Sequence, residues 1–270
     1  MTREILLQAS AVSRRFGGLQ AVDAVSLRLA RGELHALIGT NGAGKSTLIN
    51  MLSGELALSA GRVELGGIGE GVDGGVHPPV DGPVDRLVDI SRWSQPRRAR
   101  AGLGRSYQRN TLFAGFTVRE NCRLAAQARW PRVWDWWTPA NRCADSGAAA
   151  DSALARAGLA ALAERIAGTL AHGQKRQLEI AMCLACAPRV LLLDEPLAGM
   201  GAEESERMLA LLAELKQDHA LLLVEHDMAA VFRVADRITV MVNGRVIASG
   251  TPDDVRADRQ VQIAYLGDGI

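Results

Sequence analysis

The sequence predicts an α/β protein whose core is a parallel β-sheet. Residues 190–193 and 221–224 are short, almost continuous apolar runs, which are typical of strands buried on both faces. Between them, residues 203–217 place their large apolar side chains on one face of a helix. A third apolar run, residues 33–38, leads directly into a glycine-rich segment. Buried strands that alternate with amphipathic helices favour a parallel sheet.

The first quarter of the chain is predicted to contain short strands and one helix. Residues 5–7 and 24–29 are rich in apolar side chains, and the second run alternates between apolar and polar residues. After residues 33–38 and the glycines that follow, the spacing of apolar residues predicts a helix that ends near Gly54.

Residues 66–84 differ from the rest of the chain in composition. They contain seven glycines and three prolines, but no Lys, Arg, Phe, Trp or Tyr. Because such a segment buries little apolar surface, we expect a mobile loop or a hairpin tip. Two interpretations stay open, namely a tolerated surface insertion and a contact with a partner.

A helical lobe is predicted from about residue 109 to residue 168, because residues 118–162 are rich in Ala, Leu and Arg. Four of the five tryptophans interrupt this lobe: Trp130, Trp134, Trp136 and Trp137. They form either a contact with a partner or a small core of the lobe itself. After the lobe, the Asn243-Gly244 pair between two strand-like runs predicts a β-hairpin. We therefore expect one domain, 1–270, whose α/β core comprises residues 1–108 and 169–270.

Composition excludes several classes of protein. The 270 residues include 31 Lys and Arg against 30 Asp and Glu, so the net charge gives no argument for a nucleic-acid partner. Four cysteines are too few for a disulfide framework, which favours a reducing compartment. No apolar stretch reaches 18 residues, and the N-terminus lacks the apolar core of a secretory signal. We expect a cytoplasmic protein without a membrane span of its own.

Residues 39–46 fit the pattern G-x-x-x-x-G-K-[ST] of a phosphate-binding loop. Glycines let the backbone wrap closely around a phosphate, and the positive end of the following helix faces the same anion. Lys45 is expected to reach the outer phosphates, and Ser46 to ligate Mg²⁺. The predicted strand before the loop and the predicted helix after it are the context that this motif requires.

Asp194 and Glu195 directly follow the apolar run 190–193. In an open α/β sheet the carboxyl ends of the parallel strands face the ligand crevice. Asp194 is therefore expected to hold Mg²⁺ through a water, and Glu195 to orient and deprotonate the attacking water. Alone, an apolar run that ends in Asp-Glu is weak evidence for a nucleotide site. A phosphate loop in the same predicted sheet strengthens this evidence.

A third motif, residues 170–174 with the sequence Leu-Ala-His-Gly-Gln, opens another helix before Asp194. With the three motifs in this order, the chain resembles the nucleotide-binding subunits of ATP-binding cassette (ABC) transporters. The resemblance covers nearly the whole chain, except residues 66–84 and the tryptophan cluster. It implies an ATPase with a P-loop NTPase (RecA-like) core, an N-terminal antiparallel β subdomain and an inserted α-helical subdomain.

The resemblance also implies roles for individual residues. Phe16 matches the aromatic residue that stacks on adenine. The implied catalytic residues are Glu195, His226 and Gln108, of which His226 is the switch histidine at the γ-phosphate. The implied Mg²⁺ site comprises Ser46, Gln108 and Asp194. The remaining implied contacts to ATP are Asn41, Gly42, Ala43, Gly44, Lys45, Ser46 and Thr47 in the phosphate loop, and Ala171, His172, Gly173 and Gln174 in the signature motif.

In this family the signature motif of one subunit caps the ATP that the phosphate loop of another subunit holds. ATP binding therefore closes a two-subunit sandwich, and hydrolysis reopens it. Two positions depart from the family pattern, because Ala171 replaces the usual serine and Gly201 replaces a common aspartate. The lost hydroxyl is worth about 1 kcal/mol, which predicts slower turnover or weaker closure. An active ATPase is still expected, since Lys45, Glu195 and His226 are present.

Finer features resemble the ATPases of branched-chain amino-acid importers. These features lie in residues 173–181, 194–200, 224–228 and 264–267. The resemblance implies transmembrane permease subunits, a second ATPase subunit (a copy or a sibling) and, indirectly, a periplasmic solute-binding protein, with the chain at the cytoplasmic face of the inner membrane and no nucleic acid. Two alternatives stay open: an importer ATPase for urea, short amides or another small solute, and a catalytically weak structural partner in an ATPase heterodimer.

Overall fold

The structure, a computed structural model, describes residues 3–67, 86–107, 112–128 and 144–266, and for residues 265 and 266 it describes the backbone alone. Three features singled out in the sequence fall outside these ranges: Gln108, the tryptophan cluster, and all but the first two residues of the segment 66–84.

Strands and helices alternate along the described chain. The strands are β1 (Ile5–Phe16), β2 (Leu19–Ala30), β3 (Glu33–Gly39), β4 (Ala60–Gly66), β5 (Leu87–Asp89), β6 (Leu103–Arg105), β7 (Val190–Asp194), β8 (Ala220–Val224), β9 (Arg237–Val242) and β10 (Arg245–Gly250). The helices are α1 (Lys45–Ser53), α2 (Gln95–Arg100), α3 (Val118–Gln127), α4 (Ala144–Arg156), α5 (His172–Ala185), α6 (Ala202–Leu215), α7 (Met228–Val234), α8 (Pro252–Ala257) and α9 (Arg259–Leu266). Short 3₁₀ turns lie at Ala160–Leu162 and Ala167–Thr169.

These strands form two sheets. The main sheet has the order β10-β9-β3-β8-β7-β6, in which β10 is antiparallel to β9 and the other neighbours run parallel. The second sheet has the order β2-β1-β4-β5 and is antiparallel throughout. The predicted fold class is confirmed, including the antiparallel sheet built from the N-terminal part of the chain.

Successive side chains of a strand point to opposite faces of the sheet, and in the central strands β7 and β8 both sets are buried. Leu191 and Leu223 belong to the apolar core that also contains residues of α3, α4, α5 and α6. Leu192 and Leu222 belong to the core formed with α1 and the antiparallel sheet. This two-sided burial explains why the strands read as continuous apolar runs.

Helices α3 and α4 pack against each other and against α5. The chain enters and leaves this region side by side, since Thr117 pairs with Ile166 and the N–H of Val118 donates to the carbonyl of Arg165 at 2.9 Å. The two ends of this region are therefore adjacent to each other.

Strands β1 and β2 each have 12 residues, which is longer than the short runs that the apolar pattern predicts. The register shifts between Ala9 and Val12, and both Ala11 and Ala24 have positive φ angles, 48° and 50°. A β-bulge adds a residue to one strand and breaks the two-residue alternation. The pattern in the sequence is therefore interrupted where the strands continue.

Candidate functional site

The phosphate loop lies between β3 and α1, as its motif predicts. Gly44 has a φ angle of 96°, and a Cβ atom at this position would lie 2.3 Å from the carbonyl oxygen of Ala21. No other residue type fits there, because both the φ angle and the close approach exclude a side chain. The first N–H groups of α1 have no partner within the helix, so they are available to an anion.

Lys45 folds back over this loop. Its Nζ donates to the carbonyl of Gly39 at 2.7 Å and to that of Thr40 at 3.0 Å. Burial lowers the pKa of Lys45, and the charges of Glu195 and Asp194 raise it in part. The Lys45 ammonium group is therefore close enough to the carboxylates of Asp194 and Glu195 to interact with both electrostatically. The residues present fit a nucleotide phosphate together with Mg²⁺.

The end of β7 supplies the carboxylates. Asp194 is buried, and its N–H donates to Ser106 Oγ at 3.3 Å. Burial raises the pKa of Asp194, whereas the nearby Arg105 guanidinium lowers it. A carboxylate that burial destabilises gains from a bound cation, which suits a metal ligand. Ser46, the second residue of α1, is exposed.

Glu195 begins the loop that follows β7. Its φ angle is 49°, in the left-handed region that is uncommon for residues other than glycine. Its N–H donates to the carbonyl of Val224 at 2.9 Å, and its carbonyl accepts from the N–H of Ala198 at 3.2 Å. This backbone conformation is strained and is held by two hydrogen bonds, as is common at functional sites.

Glu225 is a site residue to which the sequence analysis gave no role. It directly follows β8, and its side chain is fully buried. One carboxylate oxygen accepts from the N–H of Leu197 at 2.8 Å, and the other accepts from the N–H of His226 at 3.1 Å. The imidazole of His226 is exposed, with its Nδ1 3.7 Å from the Glu225 carboxylate. A charged residue directly after a strand of apolar residues was the available signal.

The signature motif forms the start of α5. Ala171 is the N-cap residue, and its N–H donates to the Gln174 side chain at 3.1 Å. A Cβ atom on Gly173 would lie 2.7 Å from the carboxylate carbon of Glu204, so the Glu204 side chain packs closely over Gly173 where α5 and α6 approach each other. The N-cap position itself carries no side-chain acceptor, since alanine has none.

His172 connects the signature motif to the loop that follows Glu195. Its Nε2 lies 3.0 Å from the carbonyl oxygen of Ala198. Because a carbonyl can only accept, the imidazole donates this hydrogen bond and carries a proton on Nε2. The signature motif and the loop of the catalytic-base candidate are thus in direct contact within one chain.

Phe16 lies at the end of β1, is 44% exposed, and has the Arg14 guanidinium 4.7 Å from its ring centroid. It pairs with Leu19, two residues before the Ala21 that contacts the phosphate loop. An exposed ring at this edge of the loop is accessible to a flat base. Gln108, the predicted metal and water contact, falls outside the described residues.

Comparison with protein-family profiles supports a nucleotide-binding site. Residues 22–198 match the family profile of ABC transporters, and residues 245–270 match a profile described as branched-chain amino acid ATP-binding cassette transporter. The chain belongs to the ABC transporter family. It is an ATP-binding subunit with the ATPase activity that this family couples to transport, as the sequence analysis expected.

Relatives of this ABC subunit match it over its full length. It is 37% identical to the high-affinity branched-chain amino acid transport ATP-binding protein BraF of Pseudomonas aeruginosa, over 99% of the chain and 100% of the relative. It is 39% identical to the LivG protein of the same description from Salmonella typhimurium, over 97% of the chain and 98% of the relative.

Solved structures agree with the fold of the ABC subunit. A nucleotide-free ATP-binding cassette from an ABC transporter superposes with a TM-score of 0.80 at 26% identity, over 98% of this chain and all of the other. The ADP conformation of an ATP-binding cassette gives a TM-score of 0.79 at 27% identity, over 98% of this chain and 99% of the other. Among the described residues of the ABC subunit, no helix has the length and apolarity to cross a membrane.

Proposed function

We propose that this subunit hydrolyses ATP to energise the import of branched-chain amino acids. The observation that carries the proposal is the electrostatic interaction of Lys45, at the phosphate loop, with both Asp194 and Glu195. The full-length likeness to the branched-chain amino acid transport proteins supports the substrate class, and so does the match of residues 245–270. The same match gives the urea and short-amide alternative less support.

In the proposed mechanism, the phosphate loop and the first turn of α1 bind the β- and γ-phosphates through backbone N–H groups. Lys45 adds a positive charge, and Phe16 stacks on the adenine. Ser46, Asp194 and the undescribed Gln108 would hold Mg²⁺, which neutralises charge on the phosphates when it is bound. Asn41, Gly42, Ala43 and Thr47 complete the loop around the nucleotide.

The carboxylate of Glu195 accepts a proton from the water that attacks the γ-phosphorus, and the bond to the β-phosphate oxygen breaks. His226 donates a hydrogen bond to the γ-phosphate, where negative charge is held through the transfer. Both groups come from loops that follow neighbouring parallel strands, β7 and β8, which supports their acting together on the γ-phosphate.

A second ATPase subunit completes this site in the proposed mechanism. The start of α5, with Ala171 and His172 exposed, offers backbone N–H groups and a positive helix end to the γ-phosphate on the facing subunit. Closure of the two subunits therefore depends on ATP, and hydrolysis releases them. The proposed domain organisation is one domain with an inserted helical lobe. The adjacent positions of Thr117 and Ile166, at the two ends of the region that contains α3 and α4, support it.

The proposed partners are transmembrane permease subunits, with the chain bound peripherally at the cytoplasmic face of the inner membrane. A cavity of about 250 Å³ between α2, β6 and α5 includes Tyr107, the residue before Gln108, in its lining. It offers a permease segment a place beside the predicted metal site. The periplasmic solute-binding protein acts on this subunit only through the permeases.

The test of the proposal is ATP-dependent dimerisation of the Glu195→Gln variant in Mg-free ATP, measured by size-exclusion chromatography beside the hydrolysis rate of the unmodified chain. Glu195→Gln keeps the phosphate site but removes the base, so a dimer is expected to accumulate. The matched control adds Lys45→Ala, which should abolish both ATP binding and the dimer.

The outcomes separate the candidate functions. A variant dimer together with hydrolysis by the unmodified chain supports a self-sufficient ATPase. A monomer that binds ATP, and that hydrolyses it only with a sibling subunit, supports the weak-partner alternative suggested by Ala171 and Gly201. Leucine uptake that needs Glu195 in vesicles with the co-purified permeases supports the substrate class, whereas urea uptake in its place would contradict it.

A further inference from the structure

The backbone N–H groups of two site loops meet on one buried carboxylate, that of Glu225. We propose that Glu225 is a positioning residue that holds the loop of Glu195 and the imidazole of His226 in a fixed relative arrangement during ATP hydrolysis. This inference rests on the proposed roles of Glu195 and His226, and it adds a third residue whose fully buried side chain acts through these two.

The topology of the sheet places Glu225 between the two loops. Strands β7 and β8 are parallel neighbours, and Asp194 pairs with Val224 at their carboxyl ends. The two loops that follow β7 and β8 therefore leave the sheet side by side. Their backbone N–H groups lie beyond the strand pairing and need other acceptors. Glu225 accepts from Leu197 in the first loop and from His226 in the second, at 2.8 and 3.1 Å.

A carboxylate is suited to this task because its two oxygens are rigidly connected and each accepts a charge-assisted hydrogen bond. Leu197 lies two residues after Glu195, in a turn closed by the bond from the Ala198 N–H to the Glu195 carbonyl. Movement of Leu197 would therefore move the backbone of Glu195. With both oxygens engaged, neither loop shifts without breaking a buried hydrogen bond.

The negative charge has a second effect, on His226. The Glu225 carboxylate lies 3.7 Å from Nδ1 of this otherwise exposed imidazole. A negative charge at this distance attracts the near edge of the ring electrostatically and so biases the orientation of the imidazole, with Nε2 on the far side of the ring. A neutral acceptor would satisfy the two N–H groups without this effect on the imidazole.

The hydrogen bonds that the structure describes for the phosphate loop do not involve Glu225. Lys45 is held by the carbonyls of Gly39 and Thr40, and α1 starts at a different strand end. Loss of Glu225 should therefore leave ATP binding intact and reduce the rate of hydrolysis. A separation of kcat from nucleotide affinity is the signature of a positioning residue.

The experiment compares Glu225→Gln and Glu225→Ala in the full chain, in the assembled transporter and alone. Glutamine keeps one acceptor oxygen and loses the charge, whereas alanine loses both acceptors. The expected fall in kcat is about tenfold for Glu225→Gln and larger for Glu225→Ala, with the ATP dissociation constant changed by less than about twofold. Urea unfolding without nucleotide gives the stability of each variant independently of activity.

Asp236→Asn is the matched control. The Asp236 carboxylate also accepts a strand N–H, that of Leu34 at 2.9 Å, at the end of β3 opposite the phosphate loop. It should lower stability without lowering kcat. The proposal is overturned if Glu225→Gln keeps the kcat of the unmodified chain, or if Asp236→Asn lowers kcat as much at equal loss of stability. Absence of hydrolysis in the unmodified transporter would instead overturn the proposed function.

Discussion

Two helices at the site begin at residues that cannot cap them with a side chain. Ala171 precedes α5 and Gly201 precedes α6, and neither offers an oxygen to the N–H groups of the first turn. At each start, a side chain three residues onward, Gln174 or Glu204, accepts from the N–H of the cap residue instead. The departures from the family pattern thus have a local structural meaning, in addition to their place at the proposed interface.

Ala171→Ser should stabilise the subunit by about 1 kcal/mol, because a serine hydroxyl at an N-cap accepts from the first turn of the helix. For a chain of this size that corresponds to a rise of about 2–4 °C in Tm. The same hydroxyl should tighten ATP-dependent closure of the Glu195→Gln variant, measured by size-exclusion chromatography.

Ala155→Ser is the control for this change, since Ala155 lies on the exposed face of α4 and caps nothing. An equal Tm shift in both variants would show that the hydroxyl acts by some route other than the cap.

Residues that act through local motifs could be predicted from the sequence, and residues that act through tertiary contacts could not. Lys45 and Glu195 belong to short sequence motifs that indicate a chemical role directly. Glu225 contacts Leu197 across 28 residues of chain, and His172 contacts Ala198 across 26. No spacing rule relates such pairs, because the contacts arise only when neighbouring strands and helices pack.

At the scale of elements, His35 connects the two sheets. It lies in β3 of the main sheet, and its Nδ1 is 3.2 Å from the carbonyl of Arg28 in β2 of the antiparallel sheet. Its Nε2 is 2.8 Å from the hydroxyl of Thr239 in β9, which in turn contacts Ser249 in β10. Since a carbonyl only accepts, Nδ1 donates; burial lowers the pKa of His35 to about 4, so at neutral pH the imidazole is neutral and Nε2 accepts from the Thr239 hydroxyl.

This arrangement predicts that stability falls in mild acid. Burial lowers the pKa of His35 from 6.5 to about 4 in the folded protein. Between these two values the unfolded chain binds more protons than the folded chain, so the contribution of neutral His35 is complete above pH 6.5 and is lost as the pH falls towards 4. The expected loss between pH 7 and pH 5 is about 2 kcal/mol, measured by urea unfolding.

His35→Gln removes this titration, so its free energy of unfolding should change about 2 kcal/mol less over the same pH range. His219→Gln is the comparison, because burial lowers the pKa of His219 as well. A difference between the unmodified chain and His35→Gln that is constant from pH 7 to pH 5 would contradict the role of His35.

At the scale of the whole molecule, the apolar pattern was sufficient for the main sheet and insufficient for the antiparallel one. The strands β7 and β8 are central, and both of their faces are buried, so almost every residue is apolar. β1 and β2 expose part of their length, and bulges at Ala11 and Ala24 interrupt the alternation. Apolar patterns in a sequence reflect the burial of side chains. They underestimate the length of a strand that is partly exposed and interrupted by bulges.

The segment that follows β4 provides a test of how much of the molecule the function requires. β4 and β5 are antiparallel neighbours, and Gly66 pairs with Leu87. The residues that flank segment 68–85, Gly67 and Arg86, directly adjoin this strand pair, so a two-residue turn is sufficient to connect them. Replacing them by Asn-Gly should keep the fold and stabilise it by about 1–2 kcal/mol, because a shorter loop costs less closure entropy.

Urea unfolding and the ATPase rate of the assembled transporter check this replacement. The control is a Gly-Ser segment of the original length, which changes the sequence of the segment but keeps its length. A tolerated insertion predicts an unchanged ATPase rate and unchanged solute uptake for both variants. If both variants retain ATP hydrolysis but lose assembly with the permeases, the sequence of this segment contacts a partner. A shortened chain that no longer folds would contradict the placement of its ends in the sheet.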